Sequence, residues 1–301
     1  MKILVTGGSG FIGKYLVEYL LKQKNQVTVF DNFSNSKKIK NVFEDKDVKI
    51  IEGDITNFNE IKLATKNIDV VVHLAAKISI EESIKNPLET FQVNVEGTKN
   101  ILKACKENDI RKIIVASSAA VYGESQLGKK LDENSSKKPI SPYGESKMIM
   151  EKEVEKFLKK NSDIDCIILR FFNIFGIGQS SEYAGVITKF IEKISENQSL
   201  EVFGDGTQTR DFVSVFDAVS SIYNAIQNGK KGIYNIASGM AITIKDLAKL
   251  MISLSGKDLK IKYLPPKKGD IRFSEADISS AKNEIKYQPK VKLDEIRNLL
   301  S

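Results

Sequence analysis

Thr6-Gly7-Gly8-Ser9-Gly10-Phe11-Ile12-Gly13 is the stretch on which the reading of this 301-residue chain turns. A short apolar run, Lys2–Thr6, precedes it, and a helix-period segment, 11–23, overlaps its end. Gly7, Gly10 and Gly13 give the spacing G-x-x-G-x-x-G. A pyrophosphate needs bare backbone N–H groups and the positive end of a helix dipole. Glycines at 7 and 10 permit the sharp turn and the close approach, and one at 13 lets the helix lie against the sheet. In this strand–loop–helix context the expected ligand is a dinucleotide, touching Gly7, Gly10, Phe11, Ile12 and Gly13.

Working outward, short apolar runs alternate with helical segments. Strands are expected at Lys2–Thr6, Gln26–Asp31, Val48–Glu52, 69–75, 112–117 and 164–170, and helices at 11–23, 57–65, 87–107 and 142–160. Runs such as Val70-Val71-Val72 and Ile113-Ile114-Val115 are apolar on both faces, as strands of a doubly covered parallel sheet are. The fold expected is α/β, a Rossmann doubly wound parallel sheet. After about residue 172 the alternation fades into Gly176, Gly178, Gly204, Gly206 and Pro265-Pro266. This predicts a smaller mixed C-terminal lobe for substrate. The expected division is 1–172 with about 214–236 as the dinucleotide-binding domain, and 173–213 with 237–301 as the second lobe.

Composition narrows the classes. A hydrophobic share of 41% and a charged share of 28% fit an ordinary globular protein. No run approaches the roughly 20 apolar residues of a membrane span, and the start turns polar too early for a secretory signal, so the expectation is cytoplasmic with no membrane partner. The net charge of +7 comes from lysines scattered among acids, a solvated surface rather than a nucleic-acid footprint. Cys105 and Cys166 form no metal or redox motif, and a single histidine, His73, leaves no His-rich metal site; no metal is expected.

Asp31 ends the second strand, 18 residues after Gly13. A carboxylate there accepts the adenosine ribose hydroxyls and repels a 2′-phosphate, which favours NAD over NADP, although Lys37 and Lys38 soften the repulsion; the other use of Asp31, with Asn32, is as a turn. Asp54 and Ile55, after the third strand, are expected near the adenine, unless Asp54 is only a helix cap. Tyr143 and Lys147 stand four apart behind Ser141-Pro142, a good N-cap and first helical residue, and so share a helix face. An ammonium and a positive nicotinamide favour a phenolate at Tyr143; lowering a phenol by about three units is worth roughly 4 kcal/mol. Tyr143 then removes a hydroxyl proton while hydride leaves the same carbon. A second Tyr-x-x-x-Lys, Tyr263 and Lys267, spans Pro265-Pro266, where no helix aligns it. Ser118, in Ser117-Ser118-Ala119-Ala120-Val121-Tyr122-Gly123 after the fifth strand, is placed to bond the reacting oxygen or to satisfy a loop amide.

Together these motifs resemble the extended short-chain dehydrogenase/reductases and, within them, the NAD-dependent epimerase/dehydratase family, most nearly its UDP-glucose 4-epimerases. The likeness runs through His73-Leu74-Ala75-Ala76, Asn94-Val95-Glu96-Gly97-Thr98, Tyr143-Gly-Glu-Ser-Lys147, Arg170-Phe171-Phe172-Asn173 and Gly204 to Val213. The resemblance implies a catalytic set of Ser118, Tyr143 and Lys147. It implies cofactor contacts from Leu74, Ala75, Ala76, Asn94, Tyr143, Lys147 and Phe172, with Asn94 also positioning the lysine region, and a structural His73. For a UDP-sugar it implies Asn173 and Arg210 on the diphosphate, Val202 and Phe203 at the uracil, and Lys267 and Asp270 toward the nucleotide. Lys267 replaces the usual arginine, and Lys77 the usual glutamine. It further implies a homodimer through segments 87–107 and 142–160.

Dehydratases of this family carry acids after the catalytic hydroxyl residue, where this chain has Ala119-Ala120. The expected reaction is therefore reversible oxidation at C4 and hydride return to the opposite face, a nucleotide-sugar 4-epimerisation. Ser274 aligns with a site that is small in enzymes admitting N-acetylhexosamines, so room for a 2-acetamido group is expected beside glucose and galactose. The rivals are a decarboxylase, a reductase, a 4,6-dehydratase, and a non-catalytic NAD-sensing protein.

Overall fold

The computed structural model describes residues 1–34, 47–179, 185–266 and 271–300. In chain order these form β1 (Lys2–Thr6), α1 (Phe11–Lys22), β2 (Gln26–Asp31), β3 (Val48–Glu52), α2 (Phe58–Ala64), β4 (Val70–His73), α3 (Ile80–Lys85) and α4 (Pro87–Phe91). A π turn (Gln92–Gly97) runs into α5 (Thr98–Glu107); then come β5 (Lys112–Ser118), a 3-10 turn (Ala119–Val121), α6 (Pro142–Lys160), β6 (Asp165–Phe171) and β7 (Asn173–Phe175). The remainder comprises α7 (Val186–Ser195), β8 (Leu200–Phe203), β9 (Thr209–Ser214), α8 (Val215–Asn228), β10 (Gly232–Ile236), β11 (Ala241–Thr243), α9 (Ile244–Ser255), β12 (Ile261–Leu264), α10 (Ser279–Glu284) and a 3-10 stretch (Leu293–Leu299).

Among the described residues the main sheet has seven strands in the order β10-β6-β5-β4-β1-β2-β3, all paired parallel. The chain winds outward in one direction from β1 and then in the other from β4, so a crevice opens above their carboxyl ends, the usual ligand site of such sheets. Alternation along the strands feeds two cores. Ile3, Val5, Val29, Val72 and Ile114 pack with Leu16 and Leu20 of α1 and Ile222 of α8. Leu4, Phe30, Val71, Ile113 and Val115 pack with Ile61 of α2, Ile101 of α5 and Met150 of α6. Cys105 and Cys166 are buried in the second core.

A third core joins Phe190 of α7, Leu200 and Val202 of β8, Phe212 of β9 and Leu247 of α9. It belongs to two small sheets, β11-β9-β7 and β12-β8. No helix of the described residues is long and apolar enough to cross a membrane.

The structure refines the expected elements. β10, which lies in the stretch of about 214–236 grouped with the first domain but is not among the six expected strands, is a seventh strand of the main sheet, registered on β6. Segment 87–107 is not one regular helix. It widens into the π turn, which turns Asn94 inward, where it is buried. β4 ends at His73, so Leu74, Ala75 and Ala76 are loop. A short helix, α3, capped by the Ser79 hydroxyl on Glu82 N, was not anticipated.

Candidate active site

The cleft begins at the glycine loop. Gly7 adopts φ +69°, and a Cβ there would lie 2.6 Å from Ala75 N; one on Gly13 would lie 2.3 Å from Gly7 O. Both positions are closed to any side chain. The N-cap of α1 is Gly10, which offers no side-chain bond to the helix's first amides. Those amides and the helix dipole thus face the cleft bare, a donor set that fits a pyrophosphate. At the edge of this loop the Asp31 carboxylate accepts from Ser9 N at 3.0 Å and Phe33 N at 2.9 Å. It anchors the loop to the end of β2, and each oxygen retains a lone pair for a ribose hydroxyl. Asn32 Nδ2 donates to Asp54 Oδ2 at 2.9 Å, and Asp54 Oδ1 accepts from Thr56.

The cleft holds about 1310 Å³, above the usual range for one small ligand and suited to a dinucleotide with a second nucleotide. Gly7, Gly10, Phe11, Ile12, Gly13, Asp31, Asn32, Asp54 and Ile55 line one end of it. Leu74, Ala75, Ala76 and Phe172 line the middle beside Ser118, Tyr143 and Lys147; Asn173, Phe203, Arg210 and Ser274 line the far side. Lys267 and Asp270, like Lys37 and Lys38, lie outside the described residues.

Two expected residues do not reach the lining. Val202 is fully buried in the third core, because β8 alternates and turns Glu201 and Phe203 to the cleft instead. Asn94 lies behind the wall. Its Oδ1 accepts from Lys77 N at 2.8 Å, and its Nδ2 donates to Lys77 O at 2.9 Å and Ser146 Oγ at 2.9 Å. Ser146 in turn donates to Tyr143 O, so Asn94 acts on the base of α6 through one intermediary.

Ser141 caps α6 by accepting from Gly144 N at 3.1 Å, and Pro142 occupies its first turn. Tyr143 and Lys147 then project from one face. Lys147 is buried, and its Nζ donates to Ala116 O at 2.9 Å. Burial lowers this ammonium to about 8, with the Glu151 carboxylate opposing the fall. The Ser118 hydroxyl accepts from Ala120 N at 3.2 Å and also bonds the Tyr143 side chain. The expected lowering of the Tyr143 phenol is not what the chain alone produces. Burial raises it, and only the Ser118 hydrogen bond pulls the other way; the Lys147 ammonium is bonded to a carbonyl rather than to the phenol. The positive charge that favours a phenolate must be completed by a bound group.

His73 is enclosed. Thr98 Oγ1 donates to Asn94 O, so it accepts from His73 Nε2 at 3.0 Å, and His73 Nδ1 accepts from Thr6 Oγ1 at 2.7 Å. Burial, helped by the Lys147 charge, drives the imidazole down to about 3. It is a neutral strut between β1, β4 and α5. The far side is held by Asn173 Nδ2 on Asp211 O at 2.9 Å and Arg210 Nη1 on Thr209 O at 2.8 Å. Ser274 is buried, with its amide toward Thr209 Oγ1.

Reading the sequence missed several wall residues. Ile187, Lys189 and Lys193 of α7, Lys14 of α1, and Ile80 and Ile84 of α3 all line the cleft. The four-residue spacing of Lys189 and Lys193 placed them on one face, but nothing local aimed that face at the cleft. Also missed was a buried pair behind Lys147: Arg170 donates through Nε and Nη2 to the two oxygens of Glu151, both at 2.8 Å.

A model of the NAD dependent epimerase/dehydratase family matches residues 3–237. A protein of Methanocaldococcus jannaschii described as a putative UDP-glucose 4-epimerase is 37% identical over 296 residues, covering 97% of this chain and 95% of that one. The crystal structure of UDP-glucose 4-epimerase from Thermotoga maritima with UDP-glucose superposes with a TM-score of 0.93 at 32% identity, covering 100% of this chain and 97% of that chain. UDP-N-acetylglucosamine 4-epimerase from Methanobrevibacter ruminantium, solved with UDP-N-acetylmuramic acid, gives 0.91 at 35% identity over 99% and 95% of the two chains.

Proposed function

Because the chain belongs to the NAD-dependent epimerase/dehydratase family and its cofactor is NAD, we propose that it is a UDP-sugar 4-epimerase. The carrying observation is the single cleft in which Ser118, Tyr143 and Lys147 meet the glycine loop, with Ala119-Ala120 following the serine. Acids do line this cleft, but Asp31 and Asp54 stand at the ends of β2 and β3, and Glu81, Glu192 and Glu201 come from α3, α7 and β8. None belongs to the serine loop, where a dehydratase needs one. Likeness to 4-epimerases over nearly the whole chain supports the same reading.

The glycine loop and Asp31 would hold NAD, which would supply a hydride acceptor and donor for sugar C4 and the positive charge of its nicotinamide. Tyr143 accepts the O4 proton as C4 is oxidised and returns it on reduction; Ser118 holds O4 by a hydrogen bond. Lys147 contributes an ammonium one helical turn away. Asn173 and Arg210 hold the diphosphate, Arg210 through its planar fork, and Phe203 gives the uracil an apolar face. A firm hold on the diphosphate and a loose one on the sugar would let the 4-keto sugar turn over within the cleft. Ser274 leaves room at C2, so the reading covers UDP-glucose/UDP-galactose and UDP-N-acetylglucosamine/UDP-N-acetylgalactosamine. The exposed apolar side chain of Leu88 on α4 supports a homodimer built on α4–α5 and α6.

Incubation with a panel of UDP-sugars, read by proton NMR, gives C4 epimers with deuterium at C4 retained and no net absorbance change at 340 nm. Tyr143→Phe lowers kcat about 10²–10⁴-fold while NAD still binds. A 4-keto-6-deoxy product would make the chain a dehydratase, and full activity in Tyr143→Phe would remove the phenol from the chemistry.

A further inference from the structure

Three consecutive residues at the end of β5 are held by three consecutive turns of α6. Ala116 O accepts from Lys147 Nζ at 2.9 Å, Ser117 Oγ donates to Glu151 Oε1 at 2.7 Å, and Ser118 bonds Tyr143. Residues 143, 147 and 151 lie four apart, on one face of the helix. Arg170 is the β6 partner of Ser117 in the sheet register, and its fork grips Glu151 from the same side. Lys137 Nζ reaches Glu151 Oε2 at 3.1 Å. Arg170 Nη1 goes on to the Tyr122 hydroxyl at 2.7 Å, at the far end of the serine loop. Glu151 and Arg170 are both fully buried.

A buried ion pair is weak evidence for stability, since apolar residues of like volume serve as well or better. Its use here follows from what it touches. We propose that Glu151 is a positioning residue for the reaction: it locks the strand end carrying Ser118 to the helix carrying Tyr143, and it sets a buried carboxylate one helical turn from Lys147. The inference rests on the roles given above to Tyr143 and Lys147.

The charges around the pair define the effect. Lys147 faces Glu151 and Tyr143 on its own helix and His73 from β4, and His73 is neutral. Around Glu151 stand Arg170 from β6 and Lys137 from the loop before α6, with Tyr122 one bond further on. On the helices packed against α6, Glu89 is taken by Lys77, and Lys99 and Lys103 by Glu96 and Glu107. Glu151 is thus the negative charge that opposes the burial of Lys147. Burial alone would raise the Glu151 carboxyl, but Arg170, Ser117 and Lys137 together hold it below the usual carboxylate range, so it stays charged through the range in which Lys147 titrates.

The test is an NMR pH titration of protein labelled with carbon-13 at lysine Cε, the Lys147 signal being identified by its loss in Lys147→Met, alongside pH profiles of kcat. Glu151→Gln, nearly isosteric, is expected to lower the Lys147 midpoint and the alkaline limb of kcat together by about one pH unit. Lys137→Met strips a cation from Glu151 at a part-exposed site and is expected to move both upward. Glu151→Asp keeps the charge but shortens the reach, so the midpoint stays while kcat falls. An unchanged Lys147 midpoint in folded Glu151→Gln overturns the electrostatic role. Should that variant not fold, an unchanged midpoint in Lys137→Met does the same. Wild-type kcat in Glu151→Asp overturns the geometric role. Epimerisation surviving in Lys147→Met would sink the functional reading instead, and the NMR midpoints would still decide this one.

Discussion

At the scale of single residues, burial sets the chemistry. His73 is the chain's one histidine, and its motif neighbours lie in the cleft, yet its ring is spent on Thr6 and Thr98. Its proton affinity is depressed on folding, to about 3. The unfolded chain therefore binds the proton more readily between pH 6.5 and 3, and the stabilisation present above 6.5 is lost as pH falls through that window. Each pH unit in it costs up to about 1.4 kcal/mol. Urea unfolding at pH 7, 6 and 5 should show this loss, and His73→Gln should be weaker at pH 7 but fall less steeply. A slope equal to the wild type's would assign the acid sensitivity elsewhere. The structural role of His73 was legible from its motif; the tautomer was not, because it depends on Thr98 donating to Asn94 O from another element.

At the scale of elements, the strand–loop–helix opening does the most. Its glycines are fixed by contact: Gly13 sits where a Cβ would meet Gly7 O at 2.3 Å and Gly8 C at 2.7 Å. Backbone cannot yield as a flexible side chain can, so Gly13→Ala must push α1 away from the loop. The cost should be about 1–3 kcal/mol of stability, with NAD affinity down about tenfold or more as the helix amides move off the pyrophosphate. Calorimetric titration with NAD checks it; wild-type affinity would mean that α1 does not hold the cofactor. The motif spelled out this element because the turn itself is closed locally, with Gly13 over Gly7 and Gly8 and Gly7 N on Phe30 O of the next strand; the approach of Ala75 to Gly7 came only with the fold. The π turn and α3 were not spelled out. Asn94 bonds Lys77 and Ser146, partners remote in sequence that pull the helix out of its regular period.

At the scale of the whole molecule, β10 returns to the main sheet after the chain has built β7, α7, β8, β9 and α8. Asn235 on β10 bonds Tyr122, Leu131 and Asp277, so the serine loop and the C-terminal segment are tied to one strand. Outside, α4 carries Leu88 at 83% exposure, on the segment that the family resemblance assigns to a partner contact. With the family resemblance this argues for a dimer. Sedimentation velocity should give about twice the chain mass of 33.6 kDa, and Leu88→Asp should shift the protein toward monomer. A wild-type monomer at micromolar concentration would contradict the expectation.

The sequence alone determined the α/β class, the glycine loop at the start of α1, and the pairing of Tyr143 with Lys147, since each rests on spacing within one or two adjacent elements. Tertiary structure decided the rest: that Val202 turns inward while Phe203 faces the cleft, that Asn94 works from behind the wall, and that Glu151 meets Arg170 and Ser117 beneath the active lysine. Whether a phenol is raised or lowered is likewise a tertiary matter. It depends on how much water the fold removes and which charges it leaves nearby, and neither quantity exists until distant segments pack.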